Sequence, residues 1–341
     1  MKSPVVGYAL VVFGIAAVWG IDQFVIPWTD AYLTNVLLRI GFNVVAVTGL
    51  ALVLGFTGQF SLGHAGFMAL GAYGAASLSL HLNIPPVLAV PLGGLIAGVA
   101  GLVVGVPSLR LSGDYLAVVT LGFNQIIIVV VQNTPFLGGA LGLTGVPVAT
   151  SFGWTFTWVL LAVVMMRNLL KSSHGRAFAA VRDNEIATRS LGVDTTRIKV
   201  TAFVVGAFWA GAAGALLGFY NSSIFPKQFE FDRSIELLAM VVLGGTASLS
   251  GPILAAIVLT ALPEFLRVLG GWLIKACAPL VSAGLLDAPP EFLGRLSQYR
   301  MVIYSLVLIG MMITRPKGFL GGRELGDVLM GAWRRLRPSP A

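Results

Sequence analysis

The chain is a succession of apolar runs, most of them close to 20 residues, separated by short breaks rich in glycine, proline or charge. A helix rises about 1.5 Å per residue and the hydrocarbon core of a bilayer is about 30 Å thick, so runs of this length are built to cross. Inside lipid, backbone groups must be satisfied within the segment, which makes such runs helices. Charged residues are only 11% of the chain and its mean hydropathy is +0.89. A soluble domain carries roughly 25% charge, so the expected fold is an all-α, polytopic transmembrane helix bundle.

About ten spans are expected, some short or broken. They fall at 5–21, 33–54, 60–80, 87–106, 115–131, 154–170 and 200–220, then two short pieces at 235–243 and 253–262, and a last span at 299–313. The first run has a loose cleavage match, Gly14-Ile15-Ala16, inside its apolar stretch rather than after it, which suits an uncleaved span. The two short pieces flank a glycine-rich turn, 244–252, of the kind tolerated at membrane depth only inside protein or against a wet cavity. The stretch 266–300, interrupted by Pro279, Pro289 and Pro290, is expected at the outer interface. The domain reading is one transmembrane unit over 1–313 and a basic cytoplasmic tail over 314–341.

Orientation follows from charge. The longest polar interruption, 171–199, holds six Lys and Arg against Asp183, Glu185 and Asp194, a balance of about +3. The tail holds six bases and two acids, about +4. Both suit the cytoplasmic face, and six crossings before residue 171 place the amino terminus on the same side. The net charge of +8 is concentrated in these two segments. That pattern reflects topology and anionic lipid rather than a nucleic-acid partner.

Within 171–199, residues 175–191 carry a helical apolar pattern through Ala177, Phe178, Val181, Ile186, Ala187 and Leu191, which predicts one short amphipathic helix. Gly192 is the expected left-handed terminator, and Asp194 or Thr195 the cap of the next helix. Two readings fit this unit: a solvated topological marker, or a docking surface for another protein.

Small residues recur every four positions at Gly93, Ala97, Gly101 and Gly105, and at Gly206, Ala210, Gly214 and Gly218, so close helix packing is expected there. A short echo links 58–63 with 245–250 in the manner of transporter repeats. The sequence holds no nucleotide-binding, nucleophile-elbow or zinc-protease motif, its single cysteine is Cys277, and its three histidines are scattered, so no metal site and no catalytic role are expected.

Polar residues inside spans are costly and mark candidate solute contacts. Asn35, Arg39 and Asn43 share one helix face, where Arg39 lines a path, pairs with a neighbouring helix or snorkels. Gln59, Ser61 and His64 sit in a glycine-rich segment, and Asn124 and Gln125 lie in the fifth span. The candidate solute pathway is therefore Asn43, Gln59, Ser61, His64 and Asn124. Asp114 is expected to cap the fifth span. Paired membrane carboxylates of a proton-coupled carrier are not evident.

Several stretches resemble the permease subunits of branched-chain amino acid ABC importers of the LivM type. They are GFTGQFSLGHAGFMALGAYGAA at 55–76, RLSGDYLAVVTLGFNQII at 110–127, the runs at 174–193 and 234–252, and RPKGFLGG at 315–322. The resemblance is collinear from about 33 to 322. It implies a translocation subunit that pairs with a homologous second permease, binds two cytoplasmic ABC ATPases and receives solute from a periplasmic binding protein. ATP and Mg would be held by the partner subunits, with no cofactor on this chain. The coupling loop would be 171–199, with Arg176, Arg182, Glu185, Ala187 and Gly192 at the ATPase contact. Glu185, Ala187 and Gly192 resemble the importer signature, although Glu185 precedes Gly192 by seven residues rather than six, and Ile186 replaces the first alanine. The same family includes permeases for urea and short amides, so these are the alternative solutes. An independent secondary carrier is the reading from another class.

Overall fold

The computed structural model describes residues 4–108 and 113–282, with isolated positions between 299 and 324. Eleven α-helices are present among these residues, and seven of them are long and apolar enough to cross a membrane. They are α1 (Pro4–Phe24), α2 (Ala31–Leu50), α3 (His64–Leu82), α4 (Pro86–Ser108), α5 (Asp114–Gln132), α6 (Phe152–Lys171) and, after two short helices, α9 (Thr195–Gly218). The last turn of α2 widens into a π-helix over Ala51–Phe56, so this span runs for 26 residues. The intervening pair, α7 (Ser173–Asp183) and α8 (Glu185–Ser190), forms the predicted polar loop. Then come α10 (Phe231–Gly244) and α11 (Ser250–Ser282).

Where spans meet, glycine sets the spacing. Helix α9 is the hub, packed on α2, α3 and α4. A methyl group at Gly71 would overlap the Gly211 carbonyl, one at Gly214 would overlap the Met68 carbonyl, and one at Gly93 would come within 2.6 Å of the Gly71 carbonyl. These backbones touch because lipid gives helices no hydrophobic reason to associate, leaving van der Waals contact to hold them. The predicted small-residue stripes are in these contacts, and Gly101 lies against Ala207. The stripe reading missed Gly211, which is out of phase with 206, 210, 214 and 218 yet sits at the crossing of α9 with α3 and α4.

Several sequence expectations are corrected. The third span begins at His64 rather than Phe60, because 59–63 is an irregular segment tied by hydrogen bonds to other elements. Helix α10, at 14 residues, spans only about 21 Å and does not cross by itself. Helix α11 does not stop near residue 262 but continues to Ser282, so 266–282 is helical rather than a broken interfacial stretch. Helix α5 starts at Asp114 itself, with Gly113 in the cap position. Seven long spans are present among the described residues, where about ten were expected; the expected last span, 299–313, lies largely outside the described residues, as does 283–298.

A two-stranded antiparallel ribbon joins the α5–α6 connection to the α9–α10 connection, with β1 (Leu143–Thr144) paired to β2 (Ser223–Ile224). Tyr73 on α3 donates its hydroxyl to the Ile224 carbonyl at 3.0 Å, which fastens this ribbon over the end of the bundle opposite α7 and α8.

Candidate functional site

At the α7–α8 end, helix α7 docks through one face. Gly175, Phe178 and Val181 are buried, whereas Arg176 is exposed. The chain then breaks at Asn184, whose backbone is extended (φ −159°, ψ 103°), and its side chain caps α8 by accepting from the Ala187 N–H at 3.0 Å. Thr188 pins the two helices together, donating to the Ala180 and Asn184 carbonyls at 2.8 Å each. The predicted single helix is thus two, and the break resets the helical phase. Ile186 and Leu191, placed by the sequence pattern in the apolar stripe of one helix, are 80% and 84% exposed, with Ala187 exposed between them.

The unit ends as predicted. Gly192 has φ +82°, its N–H donates to the Arg189 carbonyl at 3.0 Å, and the Val193 N–H reaches the Thr188 carbonyl at 3.4 Å. These are the two bonds of a Schellman cap. Asp194 then caps α9 by accepting from the Arg197 N–H at 3.1 Å.

Three links attach this unit to the bundle. Arg182 donates to the Gly55 carbonyl in the π-helical turn at 3.3 Å and pairs with Asp183 at 2.9 Å. Glu185 holds the Lys199 ammonium of α9 at 2.5 Å. The Lys199 carbonyl in turn accepts from the Gln59 side chain at 3.3 Å. The coupling residues predicted from sequence are therefore brought together, with Arg182 and Glu185 facing the bundle and Arg176, Ala187 and Gly192 facing away.

The predicted solute residues do not form one cluster. Gln59 lies at the α7–α8 end, with its Oε1 buried and lacking a hydrogen-bond partner. Ser61 is buried in the same segment, and its hydroxyl accepts from the Gly63 N–H at 3.4 Å. His64 begins α3 and bonds through Nε2 to the Ala46 carbonyl at 3.1 Å. Asn124 is fully buried against Gly66, with neither amide atom hydrogen-bonded. Asn43 is separate, midway along α2.

Asn43 faces a cavity of about 380 Å³ at the opposite end of the bundle. Arg233 of α10 donates to Glu236 at 2.7 Å and to the Asn43 carbonyl oxygen, while Asn43 donates to Thr260 of α11 at 2.7 Å. One polar chain thus bridges α10, α2 and α11. Arg39 and Glu264 also line the cavity. Sequence reasoning passed over Arg233, Glu236 and Thr260. The available signal was the Arg-x-x-Glu pair at 233 and 236, beside the apolar stretch 237–243.

The family model for the permease component of branched-chain amino acid transport systems matches residues 32–313. The chain belongs to this family. The permease is 32% identical to the high-affinity branched-chain amino acid transport system permease protein LivM of Escherichia coli, over 94% of this chain and 75% of the relative. The LivM of Salmonella typhimurium matches to the same extent. It is also 29% identical to an autoinducer 2 import system permease protein LsrC of Salmonella typhi, over 65% of this chain and 53% of that protein. No solved structure matches it. This is a multi-pass transport permease of a branched-chain amino acid importer, and membership makes it a translocation subunit rather than an enzyme. Among the described residues no group of His, Cys, Asp or Glu is placed to hold a metal ion.

Proposed function

We propose that the permease carries branched-chain, hydrophobic amino acids across the bacterial cytoplasmic (inner) membrane as the bundle alternates between two states. The carrying observation is the family match along 32–313. In this reading two cytoplasmic ABC ATPases bind ATP and Mg, a homologous second permease completes the path, and a periplasmic binding protein delivers solute. Both termini are cytoplasmic. Ten crossings are reached by counting α10, with the extended segment leading into it, and α11 as the eighth and ninth and 299–313 as the tenth; the unit 1–313 is the permease domain and 314–341 its tail.

The α7–α8 unit is the ATPase contact, with Ile186, Ala187 and Leu191 as its apolar face and Arg176 beside it. Arg182, Glu185 and Gly192 then hold that face to the bundle. Asn43, Gln59, Ser61, His64 and Asn124 lie along the proposed path. Only a ligand that binds the two bundle states differently drives the cycle, and here that ligand is ATP on the partners. The test is co-purification with the ATPases and reconstitution with candidate binding proteins, screened against amino acids, urea and short amides. Leucine, isoleucine or valine should stimulate ATP hydrolysis and enter the vesicles; stimulation by urea or amides alone would overturn the solute reading. Active accumulation by the permease without ATPases would overturn the ABC reading.

A further inference from the structure

The cavity beside Asn43 has a charge pattern that the family assignment does not explain. Of its lining residues four are charged, Arg39, Arg233, Glu236 and Glu264, so its formal charge is zero while both signs are present. Ionisable groups inside a bundle are costly and are retained where they meet a solute or each other. Arg233 and Glu236 meet each other. Arg39 is exposed on the cavity wall and makes no hydrogen bond or ion pair with a described residue. Counting about 1.5 Å per residue, it stands about 12 Å along α2 from that helix's start.

We propose that this cavity binds the zwitterionic head of an amino acid, its carboxylate on the Arg39 guanidinium and its ammonium toward Glu236. The inference rests on the amino-acid reading above and names the recognition site within it. A guanidinium presents paired donors that match a carboxylate. A net-neutral cavity with separated charges fits a solute that is itself net-neutral with separated charges. An uncharged amide gains little from four ionised groups, and an anion would need an excess of bases. Val36, Phe42 and Leu217 supply an apolar wall for a hydrocarbon side chain, and about 380 Å³ lies within the usual range for a small-molecule site. The Asn43–Thr260 hydrogen bond lies midway along α2 on the cavity wall.

The test uses the assembled complex with Val36→Cys placed in a Cys277→Ser background, which leaves one thiol on this chain, on the cavity wall. Saturating leucine should slow labelling of that thiol by a small methanethiosulfonate reagent about tenfold. Leucinol, which lacks the carboxylate, and 4-methylpentanoate, which lacks the ammonium, should not protect at the same concentration. Adding Arg39→Gln should abolish protection, and Arg39→Lys should restore part of it; co-purification with the ATPases checks that each variant is assembled. Should Arg39→Gln fail to assemble, the three solutes on the Arg39 protein still decide. A complex that takes up leucine yet shows no protection, or equal protection by all three compounds, overturns the site. A complex that takes up no amino acid overturns the solute reading and this inference with it.

Discussion

Gly192 shows how a single backbone angle is enforced. Space is open around it, with nothing within 4 Å of a built Cβ, so only φ +82° demands glycine. Gly192→Ala should cost about 1 kcal/mol through left-handed strain. Gly192→Pro cannot adopt that angle and also removes the N–H that meets Arg189, so it should leave ATP hydrolysis intact while abolishing uptake, read as solute moved per ATP. Normal coupling in Gly192→Pro would reduce the loop to a topological marker. Lys199 gives a second residue-level test. Its side chain is 11% exposed and depends on Glu185, itself 40% exposed. Glu185→Ala should destabilise the complex by about 1–2 kcal/mol, between the ranges for exposed and buried pairs. Lys199→Met should recover much of that loss, since it removes the stranded charge. A double-mutant cycle on thermal unfolding in detergent would measure the coupling, and strict additivity would deny the pair any role. Gly192 and Asp194 were legible in the sequence because caps are local. Glu185 with Lys199, 14 positions apart on different helices, was not, because their meeting depends on the break at Asn184.

At the scale of elements, long spans were readable from hydropathy and their tight contacts from four-residue glycine spacing. The exceptions have separate causes, tertiary hydrogen bonds at 59–63 and a local break and cap at Asn184. Segment 59–63 looked like the start of a helix, but the Leu62 N–H is taken by Thr120 of α5 at 3.0 Å and Gln59 by α9. Ile186 and Leu191 fit a continuous helix only if Asn184 is ignored. The cavity was least legible, because its charges come from α2, α10 and α11 and no sequence window holds more than a pair. Contact at the α3–α9 crossing predicts that Gly71→Ala destabilises the bundle by about 1–3 kcal/mol through overpacking. Gly122→Ala, at a position with nothing within 4 Å, should be neutral by the same unfolding measurement. Equal effects at the two sites would mean that α3 and α9 are farther apart than described.

Across the whole molecule, the proposed topology predicts that single cysteines at Arg176 and Ser190 react with impermeant reagents only from the cytoplasmic side, and one at Leu141 only from outside. Labelling of Leu141→Cys and Ser190→Cys from the same side would overturn the parity. Glu324 also meets the bundle. The Glu324 carboxylate accepts from the Leu249 N–H at 2.9 Å and the Ser250 hydroxyl at 2.7 Å, at the start of α11. A negative group there matches the positive end of the helix dipole. Finally, α2 is one rod with a different machine at each end: Arg182 grips the carbonyl of Gly55, and Arg39 and Asn43 face the cavity. The grip falls on a π-helical turn, a winding element with a spare residue, so in the proposed coupling α7 would act on α2 as a hand on a screw. Tightening that turn toward α-helical pitch would rotate the shaft and swing Arg39 and Asn43 around its axis, so torque rather than thrust is the natural form of the stroke.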